Sequence, residues 1–210
     1  MSEAEVITET RSERKRRETR ERLVKAAEEL MLHGRIDDIQ IKHITEAADV
    51  GHGTFYLHFK SKYEILVPIV QARAAAWDKD IQTHVSGMQD PAEVMVYSGR
   101  QMSRLIVQDP IWRWFLQNSG VPVQEMRAAI GTFMARDFGQ ALNSGRFAVP
   151  DVANTGNFLF GAYVSSLLEC LELDDPTSLI DQMMELTLRV LGIDDNEAQA
   201  MAHQPLQALT

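Results

Sequence analysis

Along this chain apolar residues recur three and four positions apart, and nowhere do they alternate with polar ones over the length of a strand. The pattern predicts an all-α fold. Leu23, Ala26, Ala27, Leu30 and Met31 mark one helix that ends at His33-Gly34, where glycine suits the residue just past a helix C-terminus. Ile41, Ile44, Ala47 and Ala48 mark a short second helix over residues 41–48. A break follows at Asp49-Val50-Gly51-His52-Gly53, and Phe55 and Phe59, four apart, give a third helix over 53–59 one buried side. Ser61 with Glu64 three residues later is a capping-box pattern, and it opens a long helix over 62–85. Pro68 lies inside that helix as the source of a kink, with or without a mechanical role. Five more helices are expected over 92–108, 111–116, 123–143, 151–173 and 177–191, separated by glycine- and proline-containing breaks that include Gly120 and Pro122. Gly161 and Ser165 stand one helical step apart and suit a close helix–helix approach.

Four segments follow from this pattern. Residues 1–10 are polar and acidic, and are expected to be a disordered arm. Residues 11–62 form a three-helix domain whose core is expected to be Leu23, Ala27, Leu30, Ile44, Ala48, Val50, Phe55 and Phe59. Residues 63–192 form a larger helical domain, and 193–210 a loosely ordered tail or a single loose turn.

Two short helices joined by a tight glycine-containing turn are the helix-turn-helix unit, whose second helix can lie in the major groove of DNA. The residues that carry this unit run from Ile44 through Ala47, Ala48 and Val50, then from Gly53 through Thr54, Tyr56, His58 and Phe59 to Lys62. They resemble the DNA-binding domain of TetR-family transcriptional regulators, with the pattern I-A-x-x-A-G-V-S-x-G-T-x-Y-x-H-F-x-x-K. The chain departs from it at Thr45, where alanine is usual, at Asp49, where glycine is usual, and at Gly51, where serine is usual. Asp enters the left-handed region more readily than most residues, and glycine remains an acceptable N-cap. The resemblance is specific over roughly residues 11–66. It implies that Thr54, Tyr56, His58 and Lys62 contact phosphates and that Lys42, His52 and Gly53 face base edges. Lys42 would donate to guanine and Gly53 would let the backbone come close. For His52 an exposed turn histidine is the alternative.

Charge sharpens this picture. The chain carries a net charge of −9, yet residues 11–62 hold 12 Lys and Arg against 9 Asp and Glu. That local excess sits where phosphates would need it, while residues 63–210 carry 9 basic against 18 acidic groups. The run RSERKRRETRER over 11–22 fits either a salt-bridged solvated helix start, with Glu13–Arg17 or Glu18–Arg22 pairs, or phosphate contact. One cysteine, Cys170, lies in an apolar run and reads as a buried thiol; it excludes an intrachain disulfide and a cysteine-based zinc site. No apolar run reaches the length of a membrane span and no signal peptide is visible, so a cytoplasmic protein is expected.

In the larger domain Trp112, Trp114, Phe115, Phe133, Met134, Phe138, Phe158 and Tyr163 are candidates for lining a ligand cavity, with plain core filling as the alternative for each. Arg113, Arg127 and Arg136 are candidates to meet an acidic head group, or are surface residues. The family resemblance implies a homodimer joined by helices 151–173 and 177–191 as a four-helix bundle. It also implies a palindromic double-stranded DNA operator and a repressor released by a small apolar or amphipathic effector. An activator of the same family, or a helical protein-interaction module without DNA binding, are the rival readings. No HExxH, GxSxG, phosphate-loop or dinucleotide motif is present, so neither an enzyme nor a cofactor nor a metal is expected.

Overall fold

In a computed structural model, residues 9–34, 36–118 and 123–207 are described. The expected break at Gly120 and Pro122 and most of the expected N-terminal arm therefore lie outside the described residues. The described residues are helical without a strand. They divide into two compact units, up to Ile69 and from Val70 onward. The boundary falls seven residues beyond the one expected from sequence, because the first two turns of the long helix cluster with the N-terminal unit.

In the N-terminal unit, α1 (Arg11–His33) starts well before its apolar stripe. Thr10 caps it: its side chain accepts from the Glu13 backbone N–H, while the Glu13 carboxylate accepts from the Thr10 backbone. The basic run is thus helical, and its ion pairs are Arg14–Glu18 and Arg17–Glu21, with Arg17 also held by Glu9. The pairs expected from sequence, Glu13–Arg17 and Glu18–Arg22, give way to these, since Glu13 is spent on the cap and Arg22 reaches the Ala48 carbonyl. Next come α2 (Ile41–Ala47) and α3 (His52–Phe55). Helix α3 is shorter than the expected 53–59: beyond Phe55 the chain continues as a turn, with the Leu57 N–H on Thr54 and the His58 and Phe59 N–H groups on Phe55. Leu23, Ala27, Ile44, Ala48, Phe55 and Phe59 form the core as expected, whereas Leu30 and Val50 are only half-buried. Thr45 is buried, and its hydroxyl donates to the Lys42 carbonyl at 2.9 Å, which satisfies the polar atom where the resembled pattern has alanine.

Helix α4 (Lys62–Val85) remains one helix through Pro68, although proline removes the N–H that would bond the Glu64 carbonyl. It begins in the N-terminal unit and ends in the C-terminal one.

In the C-terminal unit, α5 (Pro91–Gln108) is the central element. It packs against α6 (Pro110–Asn118), α7 (Val123–Asn143), α8 (Val152–Cys170), α9 (Thr177–Val190) and α10 (Asp195–Ala202). Asp109 is a joint of this unit. Its carboxylate is almost fully buried, accepts from the Ile111 and Trp112 backbone N–H groups at the start of α6, and pairs with Arg73 from α4. Helix α9 stops at Gly192, whose φ of +90° only glycine adopts without strain, and the Ile193 N–H reaches back to the Leu188 carbonyl. The expected loose tail is instead an ordered helix, α10, with Ala198, Met201 and Ala202 buried. The residues after it are tied down too, because Arg100 donates to the Gln204 carbonyl at 2.7 Å while pairing with Asp181 at 2.8 Å. Cys170 is buried and unpaired.

Candidate nucleic-acid interface and internal cavity

The turn between α2 and α3 is built by one backbone departure. Asp49 has φ +51°, the one positive value at a non-glycine among the described residues, and the Val50 N–H donates back to the Thr45 carbonyl at 3.0 Å. This reversal closes α2 and presents Gly51, the N-cap of α3, whose carbonyl accepts from Thr54. Phe55 and Phe59 point inward with ring centroids 5.6 Å apart, and so hold the short helix from beneath.

What remains outward is the candidate interface. His52, Gly53, Tyr56 and Leu57 are exposed, Tyr56 by 54% and Leu57 by 70%, while Thr54 and His58 are half-buried. The His52 and Tyr56 rings meet edge to face at 5.6 Å. An added Cβ on Gly53 would meet nothing within 4 Å, so nothing in the chain itself requires a glycine there. Lys42 is exposed and lies 3.7 Å from Glu46, a pair too solvated to hold it strongly. Lys62 is half-buried, and its ammonium donates to the Asp37 carbonyl at 3.4 Å. Two residues that sequence reasoning did not single out join this face. Arg16 and Arg20 on α1 stand close enough to His58 that, after burial, their charges are the next causes that hold its imidazole below the usual histidine value. Arg20 also stacks its guanidinium 4.9 Å over the Phe59 ring. Their signal was present in the basic run, but its helical phase was not.

The C-terminal unit holds a cavity of about 370 Å³, open on one side, between α4, α5, α7, α8 and α9. Phe133, Met134, Phe138 and Tyr163 line it. Trp112, Trp114 and Phe115 do not: they are packed into the core around α6, with Trp112 fully buried against Trp77 and Phe115. Phe158 is turned outward and is 63% exposed. Periodicity reported that these residues sit on helices, not which side of a helix meets a void.

The polar part of the wall comes from residues that are distant in sequence. Asp78 on α4 and Asp137 on α7 both line the cavity and both are buried. Arg136 binds them together, with its two terminal nitrogens each 2.8 Å from an Asp78 oxygen and its Nε 2.7 Å from Asp137. Burial pushes the Asp137 carboxyl above its ordinary range, with Arg136 pulling the other way. Ser98 faces the same place, buried and without a well-aligned hydrogen bond. Arg127 is exposed at the open side, its guanidinium 4.2 Å from the Phe160 ring centroid. Arg113, in contrast, donates to the Val107 and Leu171 carbonyls and serves the framework.

The sequence model of the tetracyclin repressor-like C-terminal domain matches residues 90–204, more than half of the chain. That of the bacterial regulatory proteins of the tetR family matches residues 23–69. The chain belongs to the TetR family. TetR-family proteins are DNA-binding transcription regulators rather than enzymes. Among solved structures the chain is similar to RolR in complex with resorcinol, with 29% identity and a TM-score of 0.81 over 94% of this chain and 99% of that one. It is also similar to RolR without ligand, at 27% identity and a TM-score of 0.78 over 90% and 100%. The Thermus thermophilus FadR repressor in complex with lauroyl-CoA shares the fold at 20% identity, with a TM-score of 0.67 over 83% and 96%. No curated protein matches the chain in sequence. Among the described residues of this TetR-family chain, no helix is long and apolar enough to cross a membrane.

Proposed function

We propose that this TetR-family protein is a homodimeric repressor that binds a palindromic operator through α3 and leaves it when a small, mainly apolar or amphipathic effector enters the cavity. The observation that carries this reading is the cavity itself, of a size suited to a small molecule and walled largely by apolar residues, Phe, Met and Ile among them. The likeness to RolR along nearly its whole length, in a structure that holds resorcinol, supports a small-molecule effector. Helix α4 supports the coupling, since the helix that begins at Lys62 supplies Asp78 and Ile81 to the cavity wall. An effector acts only through different affinity for the DNA-competent and incompetent states.

The dimer reading rests on α8 and α9. Phe158 on α8 is exposed, as are Leu186 and Val190 on α9, at 61% and 48% for the last two. Asn154, Phe158, Ala162 and Ser165 follow the same exposed side of α8, so a bulky aromatic stands amid small residues there. Such a surface is suited to a self-complementary two-fold contact.

The test is selection of random duplexes by the purified protein, repeated at two salt concentrations and followed by transcription from a promoter that carries the selected site. A two-fold symmetric motif, steep loss of binding with salt and repression of transcription are expected. Enrichment of no sequence even at low salt overturns the DNA-binding reading, and stimulated transcription replaces the repressor with an activator.

A further inference from the structure

The cavity wall has a hydrogen-bonding sense as well as a shape. The Thr187 hydroxyl is committed to the Met183 carbonyl at 2.8 Å. Ser103 lies 2.7 Å from the Gly99 carbonyl and 3.0 Å from the Tyr163 hydroxyl. A hydroxyl has one proton and a carbonyl can only accept, so the Ser103 proton goes to Gly99 and Tyr163 donates to Ser103. The Tyr163 oxygen therefore turns lone pairs, not a proton, to its surroundings. Asp78 and Asp137 are acceptors as well, with the Ser98 hydroxyl beside Asp137, and they line the cavity while the Arg136 guanidinium that neutralises them is not part of the lining. Among the described residues the one cation in the wall, Arg127, is at the open side against Phe160. In charge, the two carboxylates are balanced by Arg136 and Arg127.

Resting on the assignment of this cavity as the effector site, we infer that its effector is a neutral aromatic bearing a hydrogen-bond donor, a phenol-type hydroxyl, which it gives to the Asp137 carboxylate. A carboxylate ligand meets two anions at that end, with the nearest guanidinium already spent. A donor-free aromatic makes no use of the acceptor capacity that the Arg136 and Ser98 contacts leave on Asp137. Phe133 and Phe138 line the cavity and offer the ring aromatic surface, and Met184 lines it from α9.

Calorimetric titration of the full-length protein with four naphthalenes of one ring system tests this. The probes are 2-naphthol, its methyl ether, 2-naphthoate and 2-naphthylmethylammonium. The naphthol is expected to bind about tenfold or more tightly than the ether and the naphthoate, the usual worth of a hydrogen bond to a charged group. In Asp137→Asn that ratio is expected to shrink. An ether or naphthoate that binds as tightly as the naphthol overturns the donor assignment and leaves the cavity as effector site. An ammonium that binds more tightly overturns the neutral class. Binding of none of the four overturns both the donor assignment and the cavity as a site for aromatics. The wild-type comparison stands even where the variant fails to fold.

Discussion

At position 53 a side chain would meet empty space, and that makes this glycine informative. In a helix glycine costs roughly 0.5–1 kcal/mol relative to alanine, so Gly53→Ala is expected to leave thermal stability unchanged or slightly raised. If the DNA backbone closes on this position, the same variant loses operator affinity. Retained affinity would remove Gly53 from the interface. Asp49, two residues before Gly51, shows the converse: its backbone is left-handed where the family uses glycine, and the tight turn forms anyway. His58 carries a further expectation. Burial and then Arg16 and Arg20 keep its imidazole neutral to lower pH than usual in the free protein. A phosphate beside it favours the charged form and raises that value. The DNA-bound state then binds more protons than the free state. Operator affinity is expected to rise as pH falls from about 8 to about 6, with the slope removed in His58→Gln. A pH-independent affinity over that range would place His58 away from phosphate.

At the scale of elements, most helices were legible because a buried stripe at helical spacing survives any later packing. What failed to show was of two kinds. Helix α10 opens on Asp195, Asn196 and Glu197, so it reads as solvated chain, and only Ala198, Met201 and Ala202 mark its inner side. The pairing of Asp78 with Asp137 through Arg136 was invisible for a different reason, since Asp78 and Arg136, 58 positions apart, meet only when α4 and α7 are placed side by side. Asp109 is the sharpest case of such a non-local joint. Asp109→Ala removes the cap of α6, takes the carboxylate from Arg73 and leaves two backbone donors unbonded. A loss of roughly 3 kcal/mol is expected, as for a broken buried ion pair, read as a lower urea midpoint at unchanged slope. A midpoint shift near zero would show that Asp109 holds nothing. The same reasoning explains the tryptophans of α6: sequence put them on a helix, but only the packed unit decides between wall and core.

For the whole molecule, the proposed dimer is the next quantity to test. Leu186 is well exposed on the isolated chain, so a charge there costs the fold little. In a two-fold interface the same charge faces its own copy across the seam. Leu186→Glu is expected to sediment as a folded monomer with unchanged helical circular dichroism, and to lose operator binding because two half-sites are no longer engaged together. A variant that stays dimeric would place the seam elsewhere.

Helix α9 has Met184 and Thr187 on the cavity side and Leu186 and Val190 on the outer side. In the proposed dimer one short helix thus serves as both pocket wall and subunit seam, and neither can be remodelled alone. Self-association and effector uptake then share a single thermodynamic cycle. An effector constant measured on dilute protein differs from one measured on concentrated protein, and the direction of that drift reports whether the effector tightens the pair or loosens it.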